Sequence, residues 1–391
     1  MGGLWHHKTL RNHSVTQEGE KVVQKIVVVG GGYAGLGAIG ALQKLQDAEL
    51  VLIEPGSGHQ LIPELPEALA KHGSIDNHVV PYDNLLAETQ VKHIRHYVTN
   101  LNIDRHVVYL DNGEEISYDW LILAPGSEPS MPPIAGLRDV AHTLRDSHDA
   151  RKIKSELQYA KEQRVAVIGG GLTGVEVAGM LSEDHDVILV EAFDRLLPAL
   201  GLGLSQYAYR RLIAAGVHVV MGQKLVRVNP PRIELERDHY EYRILIWAGG
   251  ISPPKWIRNT ELPLDPQGYP VADAYGQVLP HIFVAGDLWH VVIDGQEIPA
   301  TAQLAAIAGD FIGNTIVSRI TTGTPGPEFR PRIRGMLISL DEGQGVGWVL
   351  HGGIPLRGFS ARTLKNISFQ QYRLKLSKIF DRPWPLLESG D

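Results

Sequence analysis

Cysteine is absent from all 391 residues. That absence excludes a redox-active disulfide, a thiolate nucleophile and any Cys-ligated zinc or iron–sulfur centre, so electron chemistry would have to be carried by a bound cofactor. No apolar run reaches the roughly 18 residues of a membrane-spanning helix. The opening segment, MGGLWHHKTLRNHSVTQEGEK, lacks the apolar core of a signal peptide, and 1–24 reads as a flexible lead-in. Excess positive charge is missing too. Against 44 Asp and Glu stand 37 Lys and Arg, a net −7 with both signs mixed, which argues against a nucleic-acid partner. No metal site is expected.

What is abundant is glycine, 42 residues, in a chain that is 43% apolar, long enough for two or three domains and able to bury large cores. In KIVVVGGGYAGLGA, Lys25 to Ala38, an apolar run breaks at Gly30 and resumes with helical spacing after Gly35. This is G-x-G-x-x-G between a strand and a helix. Gly30 permits a tight turn, Gly32 lets backbone approach a pyrophosphate, and Gly35 lets helix and strand pack closely. The next strand ends at Glu54, 24 residues after Gly30, where an acid can accept both hydroxyls of an adenosine ribose. The alternative is a solvated strand-end acid.

The unit then repeats. RVAVIGGGLTGVEVAGML, Arg164 to Leu181, carries Gly169, Gly171 and Gly174 at the same spacing, and Glu191 closes the following strand 22 residues after Gly169. Two units, each with its own acid, predict an α/β fold with two Rossmann-like dinucleotide-binding domains.

Between them, His59 to Gly73 is proline-punctuated and then helix-like, and its His and Glu residues either sit near a cofactor or decorate a surface loop. Alternation from Val91 to Asp119 predicts a meander with Asp111-Asn112-Gly113 as a hairpin turn. Tyr118 to Gly126 reads as a buried strand ending in Pro and Gly, and Ile244 to Gly250 as its parallel in the second unit. Pro299 to Asn314 reads as a small-residue helix, and Thr321 to Pro331 as a Gly/Pro linker. The boundaries expected are 25–140 with 270–325 for the first domain, 141–269 for the second inserted in it, and 326–391 for a C-terminal amphipathic region.

Two dinucleotide sites in one chain imply electron transfer between a nicotinamide and a flavin. A carboxylate at Glu191 accepts a 2′-hydroxyl and repels a 2′-phosphate, favouring NADH over NADPH, although Arg195 four residues on could soften that repulsion. Asp287, after the strand His281 to Ala285, is of the type that bonds a flavin sugar chain, or else caps a helix. Thr301, Ala302 and Gln303 open a helix whose free N–H groups and dipole could face the flavin pyrimidine edge. Glu176, on the first turn of the second unit's helix, is either a nicotinamide-side contact or an acid favoured by the dipole.

Together GGGYAGLGA, GGGLTGVEVA, APGS at Ala124 to Ser127 and VAGD at Val284 to Asp287 resemble the two-dinucleotide flavoprotein reductases. RLLPAL (Arg195 to Leu200), IWAGG and PATAQLAAIAGD resemble, more narrowly, the type II NADH dehydrogenases. The resemblance covers about 25–320 well and 332–380 in outline. It implies FAD on the first unit, NADH on the second, and electrons passed to a membrane quinone without proton pumping. Carried onto this chain, Gly30, Gly32, Gly35, Glu54, Val98, Gly126 and Asp287 would touch FAD. Gly169, Gly171, Gly174, Glu191 and Gly249 would touch NADH, with Glu176 near the nicotinamide. Tyr33, Ala34, Ala124, Gly286, Ala302 and Gln303 complete the cofactor-binding set, and Glu176 and Gln303 are the residues expected to act in catalysis. The family's quinone-side motif, Ala-Gln-x-Ala-x-Gln, reads here with Ile307 in place of its second Gln.

From 357 to 382 there are seven basic residues and one acid, Asp381, around a stripe of Phe369, Tyr372, Leu376, Ile379 and Phe380, with Trp384 following. This pattern suits a helix lying in a membrane interface, peripheral on the cytoplasmic face of the cell membrane. The alternative is a helix packed on its own protein or on a homodimer partner. The alternatives to a quinone reductase are a soluble NADH reductase for another acceptor, such as a small iron–sulfur protein, and an NADH-binding redox-sensing flavoprotein.

Overall fold

The computed structural model describes residues 23–70, 74–160, 163–293, 295–350 and 353–383, so most of the lead-in and Trp384 lie outside the described residues. In chain order the strands that build the three main layers are β1 (Gln24–Val29), β2 (Ala48–Ile53), β3 (Lys92–Ile94), β4 (Trp120–Leu123), β5 (Arg164–Ile168), β6 (Asp186–Glu191), β7 (His218–Met221), β8 (Ile244–Trp247), β9 (Gln277–Leu279), β10 (Ile282–Val284), β11 (Gly335–Ser339), β12 (Gly345–Val349) and β13 (Ile354–Arg357). The helices that matter for the site are α1 (Tyr33–Leu42), α2 (Leu65–Ala70), α3 (Leu172–Leu181), α4 (Ala302–Thr322) and α5 (Gly358–Ile379).

The first sheet has the order β9-β10-β4-β1-β2-β3, parallel except at the β9–β10 hairpin, and the second the order β7-β6-β5-β8, parallel throughout. Continuous apolar runs form these strands because both faces are covered by helices or loops. Ile26, Val27, Leu52, Leu121 and Ile122 are fully buried in the first, and Val165, Val167, Ile188 and Leu189 in the second. In each sheet the strand feeding the glycine turn lies between the strand that follows it in sequence and one that arrives later. The turn therefore opens at a topological switch point, where α/β folds leave a crevice. A three-stranded meander follows each unit, at 98–117 and at 225–241. Gly113, at φ +85°, closes the second hairpin of the first meander, at the turn the sequence suggested.

The chain leaves the first sheet after β4, builds the second, and returns with β9 and β10. α4 runs eight residues beyond the Asn314 boundary expected from sequence, because Thr315 and Ile316 continue its buried face. The C-terminal region is more than an amphipathic helix. β11, β12 and β13 form an antiparallel sheet against which the first half of α5 packs.

Candidate active site

Both glycine turns have the geometry of a phosphate cradle. Gly30 and Gly169 adopt φ +97° and +115°, and a Cβ on them would stand 2.1 Å from the Ala124 carbonyl oxygen and 2.5 Å from that of Ala248. A Cβ on Gly35 would meet the Gly30 carbonyl at 1.9 Å, and one on Gly174 that of Gly169 at 1.8 Å. The middle glycines differ. Gly32 and Gly171 have ordinary φ of −71° and −74°, and a Cβ on either would meet nothing within 4 Å. Packing does not require glycine there; the open space in front of the helix N-terminus does.

The acids are held identically. Glu54 accepts the Gly31 N–H on Oε2 and the Gly56 N–H on Oε1, both at 2.8 Å. Glu191 accepts the Gly170 N–H on Oε2 at 2.5 Å and the Phe193 N–H on Oε1 at 2.8 Å. Each carboxylate is thus clamped by its own glycine turn and its own following turn, and each oxygen keeps a lone pair for a ribose hydroxyl. Beside Glu54 lies a cavity of about 220 Å³ lined by Gly30, Tyr97, Val98, Ser127 and Trp256 among others. Ala124 backs Gly30, while Gly126, at φ +73°, has nothing within 4 Å of its absent side chain.

Ser127 also donates its hydroxyl to Asp287 Oδ2 at 2.7 Å, and Arg145 donates to Ser127 Oγ and O at 2.8 and 3.1 Å. Asp287 sits in the short turn Gly286–Leu288, and its bond from Ser127 turns its carboxylate to that side. Ser127 was visible in the APGS segment; Arg145 carried no local signal. Arg195 donates to the Pro198 carbonyl at 3.2 Å.

The turn at Gly286 leans on α1: a Cβ there would lie 3.0 Å from Ala34 and 3.6 Å from Ala305. α1 and α4 nest through small residues, with Gly309 against the Ala34 carbonyl and Gly313 against that of Ala38. Because these contacts advance together along both helices, the two N-termini lie at the same end. α4 is capped there by Thr301, which accepts the Leu304 N–H at 3.1 Å. Gln303 on its first turn accepts the Arg334 N–H on Oε1 at 2.7 Å, leaving its amide NH₂ as a donor. Ile307, one turn on, lines a cavity of about 420 Å³ with Phe311, Phe329 and the prolines of 325–331.

Glu176 lies in the second turn of α3, not the first, so the helix dipole does not account for it. Its carboxylate turns toward the C-terminal layer. It accepts the Ser339 N–H at 2.8 Å and a short bond from the Lys365 ammonium. Arg362 grips Glu67 with two bonds of 2.9 and 2.8 Å, and Ser339 Oγ donates to the same carboxylate at 2.8 Å. Two acids and two bases from α2, α3 and α5 are thereby buried together, none of the four side chains more than 9% exposed. Burial raises the Glu176 pKa, and the Lys365 ammonium beside it offsets part of that rise.

A second buried network reaches the first glycine turn. His59, fully buried, has Nδ1 3.2 Å from the Gly31 carbonyl and Nε2 2.9 Å from the Tyr372 hydroxyl, and Tyr82 also donates to that carbonyl at 2.7 Å. Burial lowers the His59 pKa to about 4, so the neutral ring donates from Nδ1 and accepts at Nε2. Tyr33 packs 4.5 Å from the Tyr372 ring and 4.8 Å from that of His59.

Tyr372 belongs to the stripe expected to meet lipid, and here the expectation is corrected. Leu376 and Phe380 are buried in the core of the first domain, and Ile379 fills the space over Gly40 of α1. Three of the helix's bases and one just beyond it are turned inward or sideways: Arg362 and Lys365 as above, Arg373 to Glu64 at 2.5 Å, and Arg382 to Glu88 at 3.2 Å. The outward face instead carries Phe359, Ile367 and Leu374, 73%, 43% and 56% exposed. No helix among the described residues is long and apolar enough to cross a membrane.

Residues 24–309 match the sequence profile of the family described as pyridine nucleotide-disulphide oxidoreductase. The chain is similar to the type II NADH:quinone oxidoreductase of Staphylococcus haemolyticus, 28% identical over 382 residues that span 88% of this chain and 94% of that protein. Among solved structures it is similar to NDH2 from Plasmodium falciparum in complex with NADH, with a TM-score of 0.79 at 17% identity over 92% of this chain and 99% of that one. It is also similar to the sulfide:quinone oxidoreductase from the hyperthermophilic bacterium Aquifex aeolicus, with a TM-score of 0.77 at 16% identity over 92% of each chain. At those identities the two structures speak for the fold alone.

Proposed function

The chain belongs to the pyridine nucleotide-disulphide oxidoreductase family, and from that premise we propose that it is an FAD-dependent NADH dehydrogenase that passes two electrons to a quinone at a membrane surface. The observation that carries this reading is the duplication: two glycine turns at two switch points, each clamping an acid through the same pair of backbone bonds. One turn suits a resident dinucleotide and the other an exchanging one, and without cysteine no third redox group of the chain's own intervenes. The relatives named type II NADH:quinone oxidoreductase, whose length this chain nearly spans, support quinone as the acceptor.

The residues present fit FAD on the first unit. The open space at Gly32 would take the pyrophosphate, Glu54 and Val98 the adenosine, and Asp287, bonded through Ser127 to Arg145, the sugar chain. On the second unit Gly171 and Glu191 would hold NADH, with Gly249 across the crevice. FAD, when bound, supplies the two-electron chemistry between nicotinamide and acceptor. The chain's residues orient the partners and set the electrostatics. The paired N-termini of α1 and α4 favour negative charge beside Ala34 and Ala302. Gln303, fixed by Arg334, offers its NH₂ to an acceptor carbonyl. The outward face of α5, with Phe359, Ile367 and Leu374 beside Lys375 and Lys378, suits a cytoplasmic membrane surface.

One observation favours a different acceptor. Ile307 stands where the resemblance calls for glutamine, which suits a soluble NADH reductase for another acceptor. Purified, FAD-loaded protein separates the two readings: NADH should bleach the flavin absorbance, and a short-chain quinone should restore it within the turnover time. Bleaching without restoration by quinone assigns the second reading; no bleaching at all overturns both.

A further inference from the structure

Phe193 is the most exposed aromatic side chain beside either nucleotide acid, 70% exposed in the turn directly after β6. Its backbone is fixed at both ends: its N–H donates to Glu191 Oε1 at 2.8 Å, and its carbonyl accepts the Gly222 N–H at 2.8 Å. A large apolar ring on so rigid a turn is in position to meet a flat partner without first being ordered.

The two units of this chain differ in where the aromatic stands. In the first unit the residue that clamps the acid from the following turn is Gly56, which has no side chain, and the aromatic stands on the opposite wall: Tyr97, after β3, lines the cavity beside Glu54. In the second unit the arrangement is reversed. The loop after β7 begins with Gly222, at φ +67°, and the aromatic is Phe193 on the acid's own turn. The rim of the first acid's site thus carries its aromatic rings on the wall after β3, and the second acid carries its ring on its own turn. Trp256 further encloses the first site.

We propose that Phe193 is a specificity-determining residue, a stacking platform for the purine ring of the exchanging dinucleotide. The inference rests on the reading of Glu191 as the NADH ribose acid and adds to it which end of the nucleotide is recognised and how. A carboxylate fixes the ribose, and the adjoining ring covers one face of the base, so adenine nucleotides are held and nicotinamide mononucleotides lacking the base are not. Base–aromatic stacking of this kind is sequence-tolerant and strengthens binding by about tenfold or more.

The test uses the FAD-loaded full chain as wild type, Phe193→Ala and Phe193→Tyr. Binding of ADP-ribose, which carries the adenine and needs no redox step, is measured by calorimetry. The concentration dependence of flavin bleaching is measured with NADH and with reduced nicotinamide mononucleotide. Phe193→Ala should weaken ADP-ribose binding and raise the NADH KM by about tenfold at unchanged kcat. It should leave the mononucleotide unchanged, and Phe193→Tyr should restore the wild-type values. Unchanged ADP-ribose affinity overturns the proposal, as does an equal loss for NADH and the mononucleotide, which would mark a distorted turn. A protein that binds ADP-ribose through Phe193 but is not bleached by NADH keeps this inference and rejects the proposed activity.

Discussion

Removing the Glu191 carboxylate tests the nucleotide assignment most sharply, and its size can be worked from the clamp. In Glu191→Ala both ribose hydroxyls lose a charged acceptor, while the Gly170 and Phe193 amides lose an internal partner. Hydrogen bonds to a charged group contribute about 1.5–3 kcal/mol each. Water refills part of the vacated site, so the net loss is taken as one such bond, about 10- to 150-fold in NADH affinity. NADPH should lose much less, because the same carboxylate repels its 2′-phosphate in the wild type. Glu191→Gln is a useful second variant: its amide can accept only one of the two backbone N–H groups and sets an NH₂ against the other. It should therefore weaken NADH binding while preserving the side-chain volume. Rapid-mixing measurements of flavin bleaching against NADH and NADPH concentration read all of this directly. Equal fold-changes for the two nucleotides would refute the ribose role of Glu191.

Gly32→Ala and Gly171→Ala should leave the melting temperature of the FAD-free protein nearly unchanged, since the new methyl meets no protein atom within 4 Å. The first should purify without FAD and the second should keep FAD but lose NADH saturation, as absorbance spectra and bleaching titrations will tell. Arg362→Met leaves the Glu67 carboxylate buried without its bidentate partner, and denaturant unfolding should report a loss of about 3–5 kcal/mol. The His59 ring has its folded pKa lowered from 6.5 to about 4, so the unfolded chain binds its proton first and the folded state loses stability as pH falls from 6.5 toward 4. Between pH 7 and pH 5 this amounts to about 2 kcal/mol, and His59→Gln should remove that part of the slope in unfolding measured at the two pH values. Ile367→Glu with Leu374→Glu should abolish binding to anionic vesicles at an unchanged melting temperature, whereas Leu376→Glu, on the buried side, should unfold the protein; unaltered vesicle binding of the double variant removes the outward face of α5 from the account.

What could be read from the sequence follows the range of the forces involved. The two units were legible because each is a local device: strand, three glycines, helix, strand, acid, within about 30 residues. Even the difference between the glycines had a readable reason, although only the structure separates Gly35, excluded from carrying a side chain by the Gly30 carbonyl, from Gly32, which faces open space. The C-terminal helix was legible as amphipathic but not as to what covers each face. Its stripe and its bases look lipid-directed until Leu376, Phe380, Arg362, Lys365 and Arg373 find partners hundreds of residues earlier in the chain. Pairings such as Tyr372 with His59, or Arg145 with Ser127, leave no periodic trace, since a single hydrogen bond fixes one distance and no spacing. Glu176 was noticed for its place beside a glycine turn, and its buried partners on β11 and α5 were invisible for the same reason.

The central claim is that one FAD, held by the first glycine turn, is the only redox centre between NADH and the acceptor. Anaerobic titration of the FAD-loaded protein counts the electrons directly. The account predicts that one equivalent of NADH per chain bleaches the flavin completely and that one equivalent of quinone restores it. A requirement for two equivalents of NADH, or a flavin that NADH leaves oxidised, would contradict it.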